Sequence, residues 1–198
     1  MNTLMLVMVL TAAKPGANFD AVKQNADGLD SPAQAISAIV GSCDDKDIEM
    51  QIKCQDNLKK SSEQYKGKRY YIDLGAGHQQ VLEFEGVHGD KARFLWVPMF
   101  DPGTGQPLTA QVPTKLNADG WPVLPKKVID GKLPAGASGG ELQRLARLGQ
   151  VNIELVGKFD KTWELSGKEK KVRGVVFKIE GLRLAQARTG ETLLEVVY

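Results

Sequence analysis

The chain has 198 residues, a formal net charge of +2, 42% hydrophobic residues and 25% charged residues. That length supports one domain with its own core, and two would be crowded. Charge this close to neutral leaves no electrostatic footprint for nucleic acid or an anionic membrane surface, so neither is expected as a partner.

The first segment is apolar. Leu4 to Leu10 carry no charge, and Thr11-Ala12-Ala13 supplies the small residues that a signal peptidase accepts. Residues 1–13 therefore read as a secretory signal, and the expected location is periplasmic or secreted. The run is shorter than the usual ~15–30 residues, and no Lys or Arg precedes it, which a start placed too late would explain. The competing reading is a buried first strand of a cytosolic protein. As a helix the run cannot span a bilayer, which takes ~20 apolar residues, so no transmembrane span is expected.

Residues 14–198 are expected to form a single domain, with a linker and helices over 14–66 and an antiparallel sheet over 67–198. Residues 14–30 read as the linker, with at most a frayed helix. Ser31 is a suitable N-cap, Pro32 fits the first helical position, and Gly41 can take the left-handed conformation at the helix end, with Ala35, Ile36, Ile39 and Val40 on one face. A second helix is predicted from about Asp45 to Tyr65, with an apolar stripe of Ile48, Ile52 and Leu58. The acidic run before it matches the positive end of the helix dipole better than a calcium loop, whose central Gly is missing. Cys43 and Cys54 are the only cysteines. In an exported chain they are expected to form one disulfide, which by the chain-entropy argument contributes ~2–3 kcal/mol. Two sulfurs without nearby His or Cys are too few for structural zinc, and no metal or cofactor is expected.

From Arg69 the apolar period changes to two. Residues 70–74, 80–85 and 91–97 read as short strands, with His88-Gly89-Asp90 turning a hairpin. Tyr71-Ile72-Asp73-Leu74-Gly75-Ala76-Gly77 resembles the first motif of S-adenosylmethionine-dependent methyltransferases. His78-Gln79-Gln80 replaces its next glycine, however, and a hairpin follows where that fold requires a helix, so the run is read as a strand and glycine turn.

Residues 98–140 hold seven of the nine prolines, a density that argues against central strands and long helices. A long loop of this kind is commonly functional. Met99, Phe100 and Trp121 on it are the candidate ligand-binding residues; the alternative is that they cap the core. Gly136-Ala137-Ser138-Gly139-Gly140 satisfies Gly-x-Ser-x-Gly and resembles the Gly-Asp-Ser-Gly-Gly of trypsin-like proteases, with Ala at the Asp position. No His follows residue 88, as an α/β-hydrolase order demands, and Ser138 is read instead as a residue near a helix cap. A short helix over 141–148 follows. The last third reads as three successive strands, 151–159, 172–184 and 192–197. In the middle strand Leu182 and Leu184 fall on the opposite parity from Val175, Phe177 and Ile179, so a bulge or bend is predicted at Gly181.

The expected fold class is α+β, mainly antiparallel β: a curled sheet, sandwich or partial barrel with a short N-terminal helical segment. The expected function is non-enzymatic binding of an unknown protein or small ligand by an exported or envelope-associated protein. The competing class is a hydrolase using His78 and His88 with nearby carboxylates, or Ser138. A third is an envelope component that offers a sheet edge for strand addition.

Overall fold

The computed structural model describes residues 18–41, 43, 47–76, 82–96, 99–100, 107–119, 122–134, 136–166 and 171–198, with the backbone alone for 99–100. In chain order the elements are α1 (Phe19–Lys23), β1 (Asp27–Gly28), α2 (Pro32–Val40), α3 (Ile48–Glu63), β2 (Tyr70–Ala76), β3 (Leu82–His88), β4 (Lys91–Trp96) and β5 (Met99–Phe100). They continue with β6 (Pro107–Thr109), β7 (Lys127–Lys132), α4 (Gly139–Arg147), β8 (Val151–Ser166), β9 (Lys171–Gln186) and β10 (Thr192–Val197).

The described strands form two sheets, the larger one curled into a half-barrel in the expected α+β fold. It runs β1-β2-β8-β9-β6-β5, with β10 also on β9, and the smaller runs β3-β4-β7. Most neighbours are antiparallel, but β1–β2 and β6–β9 are parallel. β8 and β9 are sixteen residues each, longer than the sequence pattern suggests, and form the spine of the molecule. Val151, Ile153 and Leu155 on β8 and Val175, Phe177 and Ile179 on β9 face the core.

The predicted bulge is present. Val156 pairs with Gly181 but Gly157 pairs with Ile179, so Glu180 is the extra residue. The shift returns Leu182 and Leu184 to the core side, where both are buried. Gly174 fills a second tight place on β9: an added Cβ would lie 2.2 Å from Trp163 and 2.8 Å from the Pro107 carbonyl.

Three expectations need correction. The 14–30 stretch is more than a linker. Asn18 caps α1 by accepting from Ala21 N–H, and Phe19 is fully buried on the outer face of the sheet, beside Gly181. The 98–140 segment contributes β5, β6 and β7; Pro107 is tolerated because it opens its strand, where a lost N–H costs least. The predicted stripe of α3 is also wet, with Ile48 and Ile52 at 74% and 54% exposure. α3 instead leans on α2, with Leu58 against Gly41, and the Cys43–Cys54 disulfide ties its approach to its middle. The α2 expectation holds at its start and on its face, where Ser31 accepts from Gln34 N–H and Ala35, Ile36 and Val40 are buried, but Gly41 ends it at φ −52° rather than in the left-handed conformation.

Gly174→Ala is expected to cost ~1–3 kcal/mol, the usual range for forcing extra volume into a packed site. Urea unfolding checks this; an unchanged midpoint would show that Trp163 can move aside.

Candidate functional site

Two clusters of side chains stand out. The first is a cleft where the end of α3 meets the spine. Opposite Val176, β8 carries two residues, Asp160 and Lys161, in a bulge between the Phe159–Phe177 and Thr162–Val175 pairs. The bulge lifts the strand, so Asp160, Lys161 and Thr162 are all exposed while Phe159 and Trp163 are buried on either side. Beneath it opens a cavity of ≈ 260 Å³ lined by Ile39, Ser62, Tyr65, Lys66, Phe159, Asp160, Lys161, Thr162 and Val175.

Its floor is aromatic. Tyr65 lies in the turn that ends α3, and its ring centroid is 5.8 Å from both Tyr70 and Phe159. Phe159 in turn is 5.5 Å from Tyr70 and 5.3 Å from Phe177. The contacts are tilted or edge-on, the arrangement that ring quadrupoles favour. Tyr70 donates its hydroxyl to the Gln64 carbonyl, which fixes the α3 end against the sheet. Burial, with smaller contributions from Asp27 and Tyr65, pushes the Tyr70 phenol up from its ordinary value, so it stays a neutral donor. Lys66, Asp160 and Lys161 put charges of both signs at the rim, and the floor offers apolar contact.

The second cluster is ionic and lies on the outer face of the sheet. Arg183 on β9 reaches Asp20 at 2.8 Å, Glu195 at 3.1 Å and Glu154 at 3.8 Å, and its guanidinium covers the Phe19 ring at 4.5 Å. Lys23 meets Glu154 at 2.8 Å while its ammonium lies 3.8 Å from the centre of the Tyr71 ring. Tyr71 also donates to Glu154, and Phe19 N–H donates to Glu195 at 2.6 Å. Burial opposes ionisation of Glu154. Hydrogen bonds from Lys23 and Tyr71 and the charges of Lys23 and Arg183 outweigh it, holding the carboxyl below the ordinary value of 4.5. Each acid and base here has a partner, as in a clasp that holds α1 on the sheet, and none is left poised for proton transfer.

Among the described residues, His88 and Ser138, two of those singled out in the sequence, lie on separate elements. Met99 and Phe100 form β5 and pair with Leu108 and Pro107 of β6. Trp121 and His78 lie outside the described residues. His88 is exposed at the end of β3, opposite Lys91. Asp130, whose carboxyl feels the His88 charge weakly, is already held by Arg93 at 2.8 and 3.2 Å. Ser138 is the N-cap of α4 and accepts from Glu141 N–H. Among the described residues no group of three or more His, Cys, Asp or Glu is placed to hold a metal ion. The cleft went unnoticed in the sequence because its parts lie far apart, at 39, 62–66, 159–162 and 175. Only Phe159-Asp160-Lys161-Thr162, three polar residues interrupting an alternating strand, gave a local signal.

A family model described as a family of unknown function (DUF6066) matches residues 1–196. The chain belongs to that family. No curated protein and no solved structure matches it. The DUF6066 match spans both clusters and the disulfide, and it assigns a role to none of them.

Glu154→Gln is expected to lower stability at neutral pH by ~1–3 kcal/mol, the range for hydrogen bonds to charged groups. A carboxyl with a depressed folded-state pKa stabilises above its unfolded value, and that contribution fades as pH falls through the folded one. The gap between the two proteins should therefore be full above about pH 4.5 and close below it, as urea midpoints measured across pH would show. A gap independent of pH would mean that the clasp acts through packing alone.

Proposed function

We propose that the protein is an exported, non-enzymatic binding protein, periplasmic or secreted, that receives an apolar or aromatic portion of a small ligand or partner protein in the Tyr65–Phe159 cleft. The observation that carries this reading is the cavity itself. Its aromatic floor is kept open by a bulge, and its rim is charged. Cavities of this kind bind by shape and apolar contact, with a few polar groups fixing orientation. The signal-like start supports export, and the Cys43–Cys54 disulfide suits an oxidising compartment. No described helix is long and apolar enough to cross a membrane. Phe100, Trp121 and Met99 are retained as a second contact surface on the 98–140 segment.

Export is tested by mass spectrometry of the protein recovered from culture fractions. The expected species is found outside the cytosol, begins near Lys14 and is two hydrogen atoms lighter than its reduced form. An intact Met1 with free thiols in the cytosol would refute export.

Binding at the cleft is tested with an amphiphilic fluorescent probe, anilinonaphthalene sulfonate. Saturable binding is expected to weaken at least fivefold in Tyr65→Ser, with Phe100→Ala and Trp121→Ala as separate arms. If Tyr65→Ser leaves the affinity unchanged and either of the other two lowers it without loss of stability, the site belongs on the 98–140 segment instead.

A further inference from the structure

The bulge in β8 decides which charges face the cleft. In a regular strand consecutive side chains point to opposite faces, so Asp160 and Lys161 would lie on different sides of the sheet. Here both stand opposite Val176, and Asp160, Lys161 and Thr162 all line the same cavity. The end of α3 supplies the facing wall. Its last turn continues past Glu63, with Tyr65 N–H donating to the Ser62 carbonyl and Lys66 N–H to the Glu63 carbonyl. Ser62, Tyr65 and Lys66 are therefore at helical spacing, three and four residues apart, and all three line the cavity.

One carboxylate and two ammonium groups thus share a cavity of ≈ 260 Å³ with the Tyr65 and Phe159 rings. Elsewhere on the spine, charges are matched within the chain. Just before the bulge Lys158 meets Glu180 at 3.2 Å, and just after it Glu164 meets Arg173 at 2.7 Å. Between them the pattern stops. Among the described residues Lys66, Asp160 and Lys161 form no ion pair, either with one another or with any other group.

We infer that the cleft takes a small zwitterion of the α-amino acid class with an aromatic or large apolar side chain. Its ring lies on the Tyr65–Phe159 floor, its carboxylate faces Lys66 and Lys161, and its ammonium faces Asp160. The inference rests on the binding reading of the cleft and adds the polar end of the ligand. A ligand of single charge answers one sign of the rim and leaves the other unmatched, whereas a zwitterion answers both. Charge-assisted hydrogen bonds are stronger than neutral ones, and a few placed polar groups fix orientation in a pocket whose affinity comes from apolar contact. The three charged residues are exposed, so the ligand's head group keeps part of its hydration while its ring is desolvated. The Tyr65 and Phe159 rings already meet edge-on, and a third ring adds to the same arrangement.

The test is an NMR titration of the full chain with four probes that carry the same phenyl ring: L-phenylalanine, 3-phenylpropionate, phenethylamine and 2-phenylethanol. Phenylalanine is expected to bind saturably and at least fivefold more tightly than each of the other three. Lys66→Met combined with Lys161→Met should weaken phenylalanine and 3-phenylpropionate at least fivefold and leave phenethylamine no weaker. Asp160→Asn should do the reverse, weakening phenylalanine and phenethylamine while sparing 3-phenylpropionate. Phenylalanine binding no more tightly than 3-phenylpropionate or phenethylamine would overturn the inference, as would variants that change all four probes alike. Four probes of equal affinity, each weakened by Tyr65→Ser, would refute charge selection and leave the cleft as an apolar site. Absence of binding by all four would also refute the zwitterion, and the response of anilinonaphthalene sulfonate to Tyr65→Ser would then decide separately whether the cleft binds at all. The comparison of probes on the wild type needs no substitution, so it stands even where a variant fails to fold.

Discussion

The parity of β9 governs the rest of the molecule. A strand presents alternate residues to opposite faces, so sixteen residues of unbroken alternation would send Leu182 and Leu184 outward and Arg183 into the core. Glu180 prevents this by standing as one residue too many against β8. Glycines on both strands make the shift possible. At Gly157 a Cβ would meet the Lys178 carbonyl at 2.4 Å and the Phe177 ring at 2.6 Å, and at Gly181 it would press on Phe19. One extra residue thus decides which face is oily and which carries Arg183. It also makes the outer-face slot into which Phe19 fits, so the docking of the N-terminal helix depends on the spine's parity.

This dependence explains what could be read from the sequence and what could not. The bulge was legible because apolar residues on both sides of Gly181 are dense enough to show the change of parity. The α2 cap was legible because Ser31 and Pro32 act within one turn. Phe19 was not, since nothing within 14–30 reveals that a buried slot lies about 160 residues further on. β6 and β7 were hidden for a different reason. Their prolines were counted over forty residues, whereas a strand needs only the few that actually pair, and Pro107 sits where its missing N–H is least costly. The helix α3 misled in the opposite direction: Ile48 and Ile52 have helical spacing, but α2 takes Leu58 and both isoleucines stay exposed. The aromatic cleft combines both difficulties, being assembled from four distant segments around a bulge.

Register breaks also manage the open edges. β3 has Glu85 as an extra residue against β4, and β8 has the Asp160–Lys161 pair where β2 no longer covers it. Bulges and charges at an edge strand oppose the addition of another chain. Strand addition is therefore poorly served at these two places, and recognition through side-chain cavities fits the architecture better. The same bulge at Asp160 and Lys161 both blunts the edge and opens the cleft, so edge protection and the cavity arise from one local distortion.

The charged cluster on the outer face is internally matched. On the outer face, Arg183 and Lys23 are shared among Asp20, Glu154 and Glu195, and even the Phe19 backbone is drawn in. Such a network stabilises because every desolvated group has an opposite charge or a hydrogen bond within reach.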